Sequence, residues 1–368
     1  MDSDIFCVLC GNPFGLEPGV YNIDPDRKDY QWIYNVRLLA TPAAMQASCM
    51  VKGTSDVRNY SGNDDVFMSS ITYWQYTPSE LFPLGDSLFQ GFQDRGGAGD
   101  VIFPLHNACV HIAGMVIQSQ LPSCSSSASL THLYKILRHK YQHRKSLGGG
   151  VTNDLFDLQI ESPRFGPRGL LALEDLDWWG GAYEKFLTDP MRVPDLTSFL
   201  FNAIQDSPKV CWINMLPALP ERSLHGLECL PNEMLDNIVA KLPPSSTVSL
   251  HRTSRSLAHR IRLDERFWRD NLLDGSLLPH IQGLIPIDER KKWRRGNQQS
   301  GSCMDLQWGW RRVSKLLHED IEFPEIYGDP RLEGMPDGFW NRCRIWKIIE
   351  EASREFQHNP GVKHDQKS

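Results

Sequence analysis

The segment Leu230-Pro-Asn-Glu-Met-Leu-Asp-Asn-Ile-Val-Ala-Lys-Leu-Pro-Pro244 constrains this chain more than any other. Leu230, Met234, Leu235, Ile238, Val239 and Leu242 recur at helical spacing and form one apolar stripe. Pro231 reads as sitting just inside the helix start, where a missing N–H costs nothing. Pro243 and Pro244 end the helix sharply. A second run, 247–261, carries Val248, Leu250, Leu257 and Ile261. A third opens at Asp264, a good N-cap, with Leu263 and Trp268 placed as a hydrophobic staple. Three short helices have little core of their own, and the first stripe is wider than such a unit needs.

Over residues 227–272 this order resembles an F-box: Leu-Pro, Glu233, Met234-Leu235, Ile238, Leu242, the proline loop, Val248 and Phe267-Trp268-Arg269. It departs from the family where Ser254 and Leu257 replace a usual Cys and Trp, and where Val239 stands for a common Phe. These are mostly size reductions at apolar positions, which bear on affinity more than on fold. The resemblance implies docking onto a Skp-type adaptor of a cullin–RING ubiquitin ligase. The adaptor-facing positions it implies are Leu230, Pro231, Met234, Ile238, Leu242, Pro244 and Val248, with Leu235, Leu257, Ile261 and Trp268 as the unit's own core.

Around this unit the expected class is α+β. A mixed strand and helix region spans 1–147, and a linker with a mixed α/β segment spans 148–226, opened by Gly148-Gly-Gly. The F-box follows over 227–272, then a mostly helical region over 273–358 and a polar tail over 359–368. Residues 31–39 and 66–68 read as strands, 85–99 as a long loop, and 107–118, 131–145 and 338–349 as helices. No repeat period is visible, so leucine-rich and WD substrate receptors are not evident.

The other specific signal is Cys7-Val-Leu-Cys10-Gly11, the form taken by zinc knuckles. One knuckle supplies two ligands, and His106-Asn-Ala-Cys109 is the best second pair, with Cys49 and His111 in reserve. A structural zinc on Cys7, Cys10, His106 and Cys109 competes with two other readings. These are small buried hydrophobic thiols and a redox pair, the latter opposed by Pro13 and Gly15 in the place of a following helix. The knuckle, the Phe-Pro-Leu-His-x-x-Cys segment, the central unit and the Asn-Arg-Cys-Arg-Ile-Trp-Lys end together resemble the large group of F-box proteins of filamentous fungi.

Catalysis finds little support. No Gly-x-Ser-x-Gly, phosphate loop, dinucleotide fingerprint or His-Glu-x-x-His is present. Asp175 and Asp177 beside Trp178 and Trp179 read as a solvated edge. A net charge of −6 opposes general nucleic-acid binding, and the basic run 290–295 reads as a charged helix surface. Nine cysteines do not read as a disulfide framework, no apolar run approaches a membrane span, and the acidic start lacks a signal-peptide n-region. The expectation is a cytosolic or nuclear, non-enzymatic adaptor that brings an unknown protein substrate to a cullin–RING ligase. An adaptor-bound role outside ubiquitination and a zinc-stabilised interaction scaffold are the alternatives.

Overall fold

The computed structural model describes residues 6–16, 24–51, 66–75, 81–92, 100–121, 123–146, 155–156, 158, 184–205, 226–292, 309–319 and 334–358. In chain order the described strands are β1 (Val36–Ala40), β2 (Cys49–Val51), β3 (Phe67–Met68), β4 (Leu81–Leu84), β5 (Ser87–Gln90) and β6 (Phe103–His106). The main helices are α1 (Pro42–Ser48), α2 (Asn107–Gln120), α3 (Ser126–Ser146), α4 (Glu184–Leu187), α5 (Leu196–Gln205), α6 (Asn232–Val239), α7 (Pro244–Thr253), α8 (Arg255–Arg260), α9 (Glu265–Leu273), α10 (Trp310–Glu319) and α11 (Asp337–His358). The chain forms two compact units: Met1–Val193 with Pro336–Ser368, and Pro194–Met335. No described helix is long and apolar enough to cross a membrane.

In the first unit β1 is the middle strand of an antiparallel sheet ordered β3-β1-β6. Val36 pairs with His106 and Leu39 with Phe103. Four of the five β1 residues and all of β6 are buried, which suits their near-continuous apolar sequence. A second sheet runs β2-β5-β4, with β4 and β5 joined through Gly85-Asp86. Gly85 has φ of 58°, the positive value that a two-residue hairpin turn demands. The segment expected to be one loop over 85–99 therefore contains a strand. Conversely, the strand expected over 31–39 is shortened to β1, because Lys28–Tyr34 coils into a 3-10 helix.

The last helix is the centre of this unit. Phe339, Trp340, Ile345, Trp346, Ile348 and Ile349 of α11 are all buried, and so are Asn341, Arg342 and Arg344. It packs on α2, α3 and α4. Trp340 meets Phe186 edge-on, with ring centroids 4.9 Å apart, and Asn341 donates to the Phe186 and Thr188 carbonyls at 2.9 and 2.8 Å. Arg342 reaches the Pro190 carbonyl and the sulfurs of Met191 and Met115. Burial lowers its pKa to about 10. This corrects the expected single helical region over 273–358. Its last part belongs with the N-terminal residues, because residues 338–346 are buried on every face of the helix and must be enclosed by other elements.

The second unit gathers α5, α9 and α10 around Leu196, Leu200, Leu272, Leu273, Trp310, Val313 and Leu317. The Glu265 carboxylate accepts from the backbone N–H groups of Trp310 and Arg311, at 2.7 and 3.4 Å, so one helix caps the start of another. Burial raises its pKa against the pull of those two N–H groups. Gly148–Gly150, Asp175, Asp177, Trp178, Trp179, Trp293–Arg295 and the tail lie outside the described residues.

Gly338 stands in the first turn of α11, where an added Cβ would lie 2.5 Å from the Asp189 carbonyl oxygen. At an open helical site Gly→Ala gains ~1 kcal/mol. Here overpacking against backbone reverses the sign, and Gly338→Ala should cost ~1–3 kcal/mol. A lowered thermal midpoint is expected, and an unchanged or raised one would show that α11 is not seated against 189–193.

Candidate functional site

The first site begins as a turn. The Cys7 carbonyl accepts the N–H groups of Cys10 and Gly11, at 3.1 and 2.8 Å, and the Cys7 N–H donates to Asn12 at 2.9 Å. Phe6 and Pro13 bridge antiparallel beneath it. Gly11 has φ of 77°, so this step of the turn favours glycine. The second pair comes from a strand–helix junction. His106 ends β6, fixed by its register with Val36, and Cys109 lies in the first turn of α2. Helix N-terminal N–H groups favour a thiolate there.

The two pairs converge. Cys7, Cys10, His106 and Cys109 are all buried, and their ligand atoms lie within 4.8 Å of one another. Cys10 Sγ is 3.3 Å from His106 Nδ1, and the His106 backbone N–H points at Cys7 Sγ from 3.5 Å. Nε2 of His106 lies 3.0 Å from the Pro13 carbonyl oxygen. A carbonyl only accepts, so the proton resides on Nε2 and the Nδ1 lone pair faces the sulfurs. That outward hydrogen bond is the usual way a ligating histidine is oriented. Phe14 and Trp32 flank the imidazole, with ring centroids at 5.0 and 4.9 Å. The reserves are elsewhere: His111 is exposed and Cys49 half-buried.

Without an ion the three thiols cannot ionise together. Burial raises Cys10 and Cys109 well above an ordinary thiol. Burial pushes Cys7 the same way, but hydrogen bonds from Cys10 and Cys109 oppose it and hold Cys7 well below. The cluster thus offers three sulfur donors and one nitrogen donor. It could hold a metal ion: ideal tetrahedral bonds of ~2.3 Å to sulfur and ~2.0–2.1 Å to nitrogen place ligand atoms roughly 3.3–3.8 Å apart. Closing the widest separation requires about 1 Å of movement.

The second site is a helix face. Leu235 is buried with Leu257 and Ile261, and Val239, Leu250 and Leu263 pack against them. On the other side of the same segment, Pro231 and Met234 are exposed, Met234 by 52%. Leu230, Ile238, Leu242, Pro244 and Val248 are half-buried. So Leu235 and Val239 of α6 serve the unit, while Met234 stays exposed and Ile238 half-buried on the same helix.

The local chemistry differs from expectation in three places. Pro231 is the N-cap of α6, one residue outside it, while Pro244 opens α7. The run 247–261 breaks at Ser254, whose extended backbone and side chain cap α8 by accepting the Leu257 N–H at 3.1 Å. Trp268 does not join the Leu257–Ile261 cluster. It is half-buried, donates from Nε1 to the Leu263 carbonyl at 3.2 Å, and has Arg311 over its ring at 5.8 Å. An indole N–H needs a partner, and the carbonyl beside the N-cap draws the ring outward. Arg260 was not singled out in the sequence. It donates to the Glu228 carbonyl at 2.7 Å, to the Leu230 carbonyl and to Asn232 Oδ1 at 2.8 Å, fixing the Leu-Pro start.

The sequence model of the F-box domain family matches residues 227–269. No curated protein and no solved structure matches the chain. The match identifies an F-box domain within this segment alone.

Leu257→Ala removes a buried side chain from a small cluster and should cost ~2–5 kcal/mol. Trp268→Ala should cost less, about 1–2 kcal/mol. Thermal or denaturant unfolding of the two variants checks the order, and a larger loss at Trp268 would place the indole in the core after all.

Proposed function

We propose that the chain is a non-enzymatic F-box adaptor of the kind numerous in filamentous fungi. It binds a Skp-type protein, and through it cullin and RING subunits, in the cytoplasm or nucleus. It holds a protein substrate close to the charged ubiquitin-conjugating enzyme. Its contribution is position and effective concentration. The observation that carries this reading is the apolar surface across the matched segment: Pro231 and Met234 are exposed and Leu230, Ile238, Leu242, Pro244 and Val248 only half-buried, whereas Leu235 on α6 is enclosed. Burying such side chains against a partner is worth up to ~1.5–3 kcal/mol each.

Met234→Asp with Ile238→Asp tests it. Charged groups on a desolvated face should weaken binding of a purified Skp-type adaptor by roughly 100-fold or more. Met234→Asp alone should leave the thermal midpoint nearly unchanged, since Met234 is exposed, and adding Ile238→Asp should lower it modestly, since Ile238 is half-buried. Unweakened binding by a folded double variant refutes the assignment. If the adaptor binds and cullin does not follow, the role lies outside ubiquitination.

In the same reading the buried cluster is a structural zinc site. Three thiolates, one imidazole and a closed shell are the donor set of structural zinc, which stabilises a fold outright. Metal analysis should find one zinc per chain. Cys109→Ala should release it and lower the thermal midpoint of the full chain. A metal-free preparation with the wild-type midpoint excludes the zinc.

A further inference from the structure

A buried cation stands beside the three thiols. Arg344 comes from the middle of α11 and is 8% exposed. Its guanidinium donates to the Cys10 carbonyl oxygen at 2.8 Å and to Asn341 Oδ1 at 3.0 and 3.3 Å. It also lies over the Phe186 ring, 4.8 Å from the centroid. Asn341 is itself fixed, because its amide group donates to the Phe186 and Thr188 carbonyls and leaves the oxygen for Arg344. The guanidinium is therefore set in place by groups that would remain whether or not an ion is bound.

The charges follow from the donor set. A dication on three thiolates and a neutral imidazole leaves a net charge of −1 in a site with no exposed ligand. Burying an uncompensated charge is costly, and one adjacent guanidinium makes the assembly neutral. Arg342, two positions away on the same helix, faces the Pro190 carbonyl and the sulfurs of Met191 and Met115. It provides a control of matching type and burial.

We propose that Arg344 is the built-in counter-charge of a three-thiolate, one-imidazole metal site, so that the last helix sets how tightly the ion beside the first turn is held. This rests on the zinc reading above. Arg344 is a positioning residue in this role, acting on the ligand sulfurs through charge and through its hydrogen bond to Cys10.

The test is competition for zinc between a chromophoric chelator and the full-length chain, with far-UV circular dichroism to check folding. Arg344→Gln should weaken zinc binding by about tenfold or more, the size of effect that outer partners of metal ligands have. Arg344→Lys keeps the charge and loses the planar hydrogen-bonding fork, and should stay within about threefold of wild type. Arg342→Gln should leave zinc affinity unchanged. Should Arg344→Gln fail to fold in excess zinc while Arg344→Lys folds and keeps its zinc, the need for charge is equally established. The proposal is overturned if folded Arg344→Gln binds like wild type. It is also overturned if Arg344→Lys loses as much as Arg344→Gln, if Arg342→Gln loses as much, or if both Arg344 variants fail to fold. Wild-type protein that takes up no zinc defeats the metal reading itself, which separates the two failures.

Discussion

Within the first unit, much depends on how the Cys7–Gly11 turn meets the junction between β6 and α2. The turn contributes few apolar contacts beyond Val8 and Leu9, yet both cysteines and both of those residues are almost fully buried. What encloses them is long-range: the β1–β6 register that sets His106, the first turn of α2 that sets Cys109, and α11 behind them. The sulfurs, the imidazole and Arg344 occupy space that an apolar core would otherwise fill. Such a polar cluster is tolerable only when its members satisfy one another, since an unpaired buried polar or charged group costs more than an apolar replacement.

This gives the unit an unusual economy of position. Asn12 donates to the Phe186 carbonyl at 2.7 Å, and Asn341 donates to the same oxygen, so the turn after Cys10 and the middle of α11 share one acceptor. Trp32 donates to the neighbouring Leu187 carbonyl at 2.7 Å while its ring flanks His106. Four-residue α4 thus links three distant segments through backbone oxygens. The second unit follows a different logic. Its F-box core is small, and caps at Ser254 and Asp264 and the Arg260 clamp define its helices alongside the buried Leu235, Leu257 and Ile261.

The four convergent Cys and His side chains and the F-box segment were legible for the same reason. Each is encoded by residues close in sequence whose spacing matches a physical requirement: two ligands and a permissive glycine in one turn, two more across one helical turn, apolar residues at helical period between prolines. Trp268 and the broken helix at Ser254 were misread because the outcome turned on single hydrogen bonds. Periodicity cannot weigh an indole N–H seeking the Leu263 carbonyl, nor a serine that caps better than it continues a helix. Arg260 carried no signal, being one arginine among many, and Arg344 stood only as part of the Asn-Arg-Cys-Arg-Ile-Trp-Lys end, with no role until its acceptors are known.

Local chemistry therefore determined, from sequence alone, the helical segment that carries the apolar face, the knuckle turn, and the identity of four candidate ligands. Only the tertiary structure decided that those ligands meet, that Asp337–His358 belongs with the N-terminal unit, and that Arg344 donates to the Cys10 carbonyl. The physical reason is separation along the chain. Turn geometry and helical period act over a few residues and leave a pattern, whereas the pairing of α11 with the first turn, hundreds of residues away, depends on shape and burial that no single sequence spells out.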